Sequence, residues 1–486
     1  MSAIQHIKKL AGESVVYGLS GILIRFVGLL MLPLLSKALS PAEYGIIGMY
    51  SSSFYMTFLF VVFAMDSATY RYYFDSGNDE ATKRNTLATW YYFQLATSVI
   101  LALLLFLFRG PLGVFLFKDT RKSIELVTLM SLALLMYALP NILEAWYRLQ
   151  RKPWGAFFYS VATAGLSIIL SAYCILQLKL GAIGFVIGQL SSFTLGSLYA
   201  IFTLKGWLSP KYFNRKLLGN MLRYAVPFVP ANIASQALAF LLNYYLKSKL
   251  SFSEAGLYYM GNTIASVIGL VTMAVGQAWS PFAFSIADSP DAKRIYSVSL
   301  SVYVIFMCGI CLGMMLFIPD LLRVFTNEKY YPAAWVGSIL IFNVFLTSTC
   351  VIGMTGCGIV KKTAPYAKAV IVASVVSVAL IVPMVNLFGK EGAALALLLG
   401  QLIIPGYIFY VSQKYYPIPY EFGKLAIALI IAFLLGLLGR LFFTDLSPVL
   451  SFCVKICVIL LFYFSVYRLF MSEFNILIKQ IKQKFA

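Results

Sequence analysis

Ser40-Pro-Ala-Glu-Tyr-Gly-Ile-Ile-Gly-Met49 returns 211 positions later as Ser251-Phe-Ser-Glu-Ala-Gly-Leu-Tyr-Tyr-Met260, with Ser, Glu, Gly and Met in register. Near the same offset Pro153 meets Pro365, and Gly188-Gln189-Leu190 meets Gly400-Gln401-Leu402. Apolar sequence yields chance matches easily. One offset that serves polar, Pro and Gly positions in three separated places instead points to an internal duplication. The repeated unit contains six apolar runs. Six is even, so both copies cross a membrane in the same orientation, related by an axis along the membrane normal, and face each other across a cleft.

The runs themselves decide the class. They occupy 15–36, 46–65, 87–108, 124–147, 156–178, 181–204, 224–246, 256–280, 296–318, 333–355, 366–387, 391–413, 424–443 and 447–470. Each is close to the ~20 helical residues that cross a hydrocarbon core of ~30 Å. Of the 486 residues 61% are hydrophobic and 12% charged, against about 45–50% and about 25% in soluble domains. Membrane strands would alternate apolar and polar residues, which these runs do not, and helices satisfy their own backbone in lipid. The expected fold is an all-α polytopic membrane protein of about fourteen transmembrane helices, arranged as two pseudo-symmetric six-helix bundles plus two C-terminal helices.

Its expected divisions are an amphipathic tail (1–14), an N-lobe (15–204), a basic linker (205–223), a C-lobe (224–413), two added helices (414–470) and a C-terminal tail (471–486). The tail carries Ile4, Ile7 and Leu10 beside Lys8 and Lys9, a surface-helix pattern, while His6 has no ligand partner in sequence. No A-x-A-like cleavage site follows the first run, so it reads as a retained span.

A net charge of +20 would suggest nucleic acid in a soluble protein, but here the basic residues flank spans. With the N-terminus cytoplasmic, inside segments hold about 24 Lys and Arg and outside loops about 12, which favours both termini inside. The seven cysteines lie in or beside apolar runs, and Cys308-x-x-Cys311 has no second pair or His to complete a metal set. Phosphate-loop candidates fail, because Gly389-Lys390 precedes Glu391 and Gly423-Lys424 precedes Leu425. Without a nucleophile–base set or clustered carboxylates, the expectation is a transporter: no enzyme, no cofactor, no metal and no nucleic-acid partner.

Polar residues inside apolar runs are costly and usually face a cavity or a partner. Arg25 lies mid-run, on one helical face with Ser14, Gly18, Gly21 and Gly28. The duplication sets Gln236 opposite Arg25, and Asn232, Gln236 and Asn243 share a face. Asn262, Ser266, Gly269 and Gln277 make a similar stripe in the eighth run, and Asn343 and Thr347 in the tenth. Arg25 and the amides Asn232, Gln236, Asn243, Asn262, Gln277 and Asn343 are therefore the candidate cavity residues, although amides also tie membrane helices together. Asp66 and Arg71 read as the cytoplasmic end of the second run, admitting a charged headgroup or anchoring the helix end. Glu144 pairs with Arg148 at i, i+4 and is the candidate for ion coupling. Lys455 is expected to snorkel outward.

Four stretches carry a family resemblance: Leu39-Ser-Pro-Ala-Glu-Tyr-Gly45, Tyr70-Arg-Tyr-Tyr-Phe74, Tyr224-Ala-Val-Pro-Phe-Val-Pro230 and Glu254-Ala-Gly-Leu-Tyr258. With them the chain resembles, over essentially its whole length, the polysaccharide-transporter (Wzx-type) flippases of the multidrug/oligosaccharidyl-lipid/polysaccharide (MOP) superfamily. The resemblance implies a MATE-like two-lobed core of twelve helices, two added helices, and a place in the bacterial inner membrane. It implies flipping of an undecaprenyl-diphosphate-linked repeat unit to the outer leaflet for O-antigen, capsule or exopolysaccharide synthesis. The partners implied are that lipid-linked oligosaccharide, membrane lipid and a glycan polymerase. Arg25 matches the first-helix arginine of the related lipid II flippases, which implies a diphosphate contact. Gln236 departs from a second arginine, so a two-arginine clamp is not expected. The rival readings are a cation-coupled multidrug exporter of the same superfamily, which an acidic cleft would favour, and a scaffold that organises a glycan polymerase.

Overall fold

The computed structural model describes residues 19, 21, 23, 32–75, 79–118, 121–360, 362, 364–442 and 447–470. Arg25, His6, both tails and most of the expected first span lie outside the described residues. Among the described residues the secondary structure is helical throughout. Eleven helices are long and apolar enough to cross a membrane, and the pair Phe252–Ala265 and Ile268–Ser285, bent by 41°, makes a twelfth. The 52-residue run Ala364–Tyr415 is itself two spans, because Gly389 interrupts its helix at φ +61°. The elements alternate from end to end as the apolar runs require.

The duplicated decapeptides turn out to be helix starts. Ser40 Oγ accepts from the Glu43 N–H at 3.3 Å, and the Glu43 carboxylate accepts from the Ser40 N–H at 2.9 Å. This reciprocal capping box opens Pro41–Val62. In the second copy Ser251 Oγ accepts from the Glu254 N–H at 3.1 Å and opens Phe252–Ala265, while the Glu254 carboxylate turns to Lys390 Nζ at 2.9 Å. Both serines remain for the same reason: a helix N-terminus leaves N–H groups that need an acceptor.

The two helices then cross each other at the shared glycines. A Cβ on Gly45 would lie 2.0 Å from the Phe252 carbonyl oxygen, and one on Gly256 would lie 1.8 Å from the Pro41 carbonyl oxygen. Pro41 and Phe252 are repeat partners as well, so the pseudo-two-fold axis passes between the glycines. Lipid supplies no hydrophobic drive for helix association, and close backbone approach through small residues takes its place.

A second symmetric contact closes the same end. Ser36 Oγ of the N-lobe donates to the Phe325 carbonyl at 3.1 Å, the last residue of Ala292–Phe325 in the C-lobe. Its repeat partner Lys247 of the C-lobe, 2% exposed, donates to the Phe115 carbonyl and, at 3.1 Å, to the Leu116 carbonyl. Those carbonyls end the N-lobe helix Arg109–Phe117. Each lobe therefore caps a helix C-terminus of the other, where unpaired carbonyls and the negative dipole end attract a donor. Tyr330 adds a 3.0 Å bond to the Leu39 carbonyl, and Asn327 a 2.8 Å bond to that of Ser36.

The added helices Phe422–Phe442 and Pro448–Leu469 pack on Ala292–Phe325. Lys455 does not snorkel: at 7% exposed it pairs with Asp320 of that helix. An ammonium held at this depth gains more from a carboxylate than its stem gains by reaching for the interface.

Candidate substrate cavity

The second span runs from Pro41 to Asp75, ten residues beyond the expected end, and is broken within. Phe63 and Ala64 take left-handed conformations at φ 49° and 55°, a strained geometry for residues other than glycine. Phe63 N–H closes the first helix on the Leu59 carbonyl at 2.8 Å, and a new helix, Met65–Asp75, starts at once. Asp66 sits in its first turn, where the positive helix end favours a carboxylate. Asp66 therefore lies just past a break, after the 22 residues of Pro41–Val62. Its Oδ1 is buried and accepts no hydrogen bond.

Asp66 itself lines a hollow of about 230 Å³ between the lobes, which gathers Asp66 and Tyr55 from one side and Asn232, Ser235 and Gln236 from the other. Three of the sequence candidates thus meet. Arg71, grouped with Asp66 in sequence, does not join them. It is exposed, ion-paired with Asp75 at 3.6 Å and stacked 4.8 Å over the Tyr224 ring. Close to Asp66 lies a second polar set: Arg148 pairs with Glu144 and hydrogen-bonds Tyr70, which is within electrostatic reach of Asp66.

A larger cavity of about 910 Å³ opens on the C-lobe side. Ser266, Thr272, Gln277 and Ser280 line it from the bent helix pair, with Thr347 and Ser348 opposite, and none of the described lining residues is charged. Ser266, Thr272 and Thr347 donate to carbonyls of their own helices at 2.7–3.0 Å, which leaves their oxygens free to accept from a ligand. Met273 lines this cavity and also meets the first span, since a Cβ on Gly21 would lie 2.8 Å from its Cε.

Other candidates stand apart. Asn243, 8% exposed, donates to the Ala239 carbonyl at 2.9 Å and sits among packed helices. Asn262 is exposed and outside both hollows, while Asn343 has a buried Oδ1 with no partner. Cys308 and Cys311 are buried free thiols, and no group of three potential metal ligands occurs among the described residues. The break at Phe63–Ala64 and the hydroxyls of Ser280 and Ser348 escaped sequence reasoning. Neither Gly nor Pro marks the break, and single serines in apolar runs carry no spacing signal.

With this geometry in hand, likenesses to known proteins fall into place. A family model described as polysaccharide biosynthesis protein matches residues 34–335. None of the curated protein sequences matches the chain. Among solved structures, the lipid II flippase MurJ in an inward closed conformation superposes with a TM-score of 0.75 at 16% identity, covering 94% of this chain and 100% of that one. An inward-facing multidrug resistance MATE family transporter of the MOP superfamily gives 0.66 at 15% identity, covering 82% and 94%. At such identities the likeness is one of fold: two lobes around a cleft.

Proposed function

Because this chain belongs to the polysaccharide biosynthesis protein family, we propose that it is a flippase for a polyprenyl-diphosphate-linked oligosaccharide. It moves the repeat unit from the cytoplasmic to the outer leaflet of a bacterial inner membrane, with both termini cytoplasmic, and delivers it to a glycan polymerase. The observation that carries this reading is the 910 Å³ cavity whose described lining offers hydroxyls and an amide and no charged side chain. Sugar hydroxyls find donors and acceptors there, whereas an organic cation finds no counter-charge.

Arg25 supplies the anion contact in this scheme. It follows Gly21 by one helical turn in sequence, and Gly21 abuts the cavity residue Met273. A guanidinium beside a low-dielectric cleft binds a diphosphate through several oriented donors. Asn232, Gln236 and Gln277 read the glycan, and the polyprenyl chain stays in lipid. The lobes rock about the end closed by Gly45, Gly256, Ser36 and Lys247. Asp66, a carboxylate at the helix break whose Oδ1 accepts no hydrogen bond, is the coupling site in this scheme, with Glu144 as the second candidate.

That same carboxylate is what favours the second reading, a cation-coupled multidrug exporter. The two readings separate on Arg25→Ala. In a strain carrying only this variant, surface glycan is expected to vanish while the protein stays in the membrane, and Arg25→Lys is expected to restore part of it. Normal surface glycan with Arg25→Ala overturns the flippase assignment. Raised sensitivity to organic cations in a deletion strain whose glycan is unchanged supports the exporter.

A further inference from the structure

Lys362, Lys368 and Lys414 line one open cleft of about 580 Å³, together with Tyr407, Tyr410 and Tyr415. Its remaining described lining residues are Ala364, Pro365 and Val411, so no described carboxylate lines it. No ion pair engages any of the three lysines among the described residues. Lys362 Nζ lies 4.2 Å over the Tyr415 ring and Lys414 Nζ 4.4 Å over that of Tyr410. Three ammonium groups around one cleft repel one another, and an anion between them removes that repulsion.

The cleft lies where Ala364–Gln401 begins and Ile403–Tyr415 ends. Following the spans back from Gly256, this is the end of the C-lobe opposite the glycine crossing. Lysine and tyrosine at the end of apolar spans match the depth of lipid headgroups. Tyr410 also lines a second hollow, of about 660 Å³, whose wall is almost wholly apolar: Leu300, Val304, Leu346, Phe409, Leu425 and Leu429. A basic-aromatic cleft thus adjoins an apolar groove at depth, and no residue of either lines the 910 Å³ cavity.

The fold does not require this arrangement. At the repeat offset set by Pro153 and Pro365, the N-lobe carries Ala156, Leu195, Leu198 and Phe202 where the C-lobe carries Lys368, Tyr407, Tyr410 and Lys414. Leu195, Leu198 and Phe202 are exposed, an ordinary lipid-facing surface. Both lobes carry a basic pair just before the matched proline, Arg151-Lys152 and Lys361-Lys362, but only the C-lobe adds Lys368, Lys414 and the tyrosines.

We propose that the C-lobe binds an anionic membrane phospholipid, with its phosphate between Lys362, Lys368 and Lys414 and an acyl chain in the groove beside Tyr410. The described lining of the cleft has no side-chain amides to read a glycan, and the groove is walled in part by Phe422–Phe442, a helix outside the duplicated core. The occupant is therefore a lipid that ties this helix to the C-lobe, not the transported one. The site stands independently of the substrate proposed above.

The test uses the full-length protein in detergent, with bound lipid counted by native mass spectrometry. Phosphatidylglycerol is expected to be retained, and neither phosphatidylcholine nor inorganic phosphate to replace it. Each Lys→Gln change at 362, 368 or 414 is expected to weaken retention about fivefold, as ~1 kcal/mol per basic residue near an anionic surface implies. The triple Lys→Arg variant keeps retention. Should the triple Lys→Gln variant fail to fold, the single variants carry the test. Equal retention of phosphatidylglycerol by wild type and the single variants overturns the proposal, as does equal binding of phosphatidylcholine. Displacement of phosphatidylglycerol by a polyprenyl diphosphate assigns the cleft to the transported lipid and also overturns it. Binding of inorganic phosphate alone, with equal affinity, removes the role of the groove and does the same.

Discussion

Residue 36 in the first copy is a serine and its partner at 247 a lysine, yet each donates to the terminal carbonyls of a helix in the opposite lobe. Ser40 and Ser251 both cap, and Gly45 and Gly256 cross each other. The mechanical parts of the two lobes are thus alike. The chemical parts are not. The N-lobe carries Asp66 at the small hollow and the ion pair Glu144–Arg148, while the C-lobe offers hydroxyls and Gln277 around a cavity of about 910 Å³ with no charge among its described lining. Symmetry marks what must move, and its loss marks what must recognise.

The comparison breaks most severely at the crossing. Gly45→Val or Gly256→Val drives a Cβ into a backbone carbonyl at about 2 Å, so either change alone is expected to reduce glycan export to background. Cross-linking of Tyr44→Cys to Tyr259→Cys by a short bifunctional thiol reagent, at positions whose rings meet at 5.3 Å in the closed end, is expected in the parent and not in the glycine variants. Export at the parental rate removes the crossing from the transport cycle.

Next in size is Asp66→Asn, which deletes the charge at the helix break. Export is expected to fall by about tenfold or more, the scale at which a buried charge matters. Arg71→Gln, on an exposed side chain with only Asp75 and Tyr224 as partners, is expected to change export less than about twofold. Equal losses would rejoin the two residues in one function.

Lys247→Ser sharpens the comparison by giving the second copy the residue of the first. The shorter side chain leaves the Phe115 and Leu116 carbonyls uncapped, a cost of about 1–3 kcal/mol. The 44–259 cross-link is expected to form several-fold more slowly. An unchanged rate means that the cap does not hold the closed end. Smallest is Gln277→Ala, which removes about one hydrogen bond to the glycan, or ~1 kcal/mol. A roughly fivefold higher substrate level is then expected to be needed for half-maximal export, with the maximal rate kept.

Sequence pattern reached the symmetric parts because they need particular residue types at fixed offsets. Only a small hydroxyl residue followed three positions later by an acid makes the capping box, and only glycine survives the crossing. Span number was legible from apolar length, since lipid leaves helices no alternative. The asymmetric parts were harder to read. Phe63 and Ala64 are ordinary apolar residues, so nothing announced the break that carries Asp66 into the cleft. Lys455 found its partner in Asp320, 135 positions away, a distance that no local pattern spans. Amides were ambiguous for a physical reason: Asn243 packs while Gln236 faces a hollow, and both satisfy the same helical spacing.

The central claim, transport of a lipid-linked oligosaccharide between leaflets, is tested most directly by depleting the protein and locating the lipid-linked repeat unit. The account predicts that polyprenyl-diphosphate oligosaccharide accumulates with its glycan facing the cytoplasm, shielded from a glycosidase added outside intact spheroplasts and cleaved once they are opened. No accumulation, or accumulation already open to the external enzyme, would contradict it.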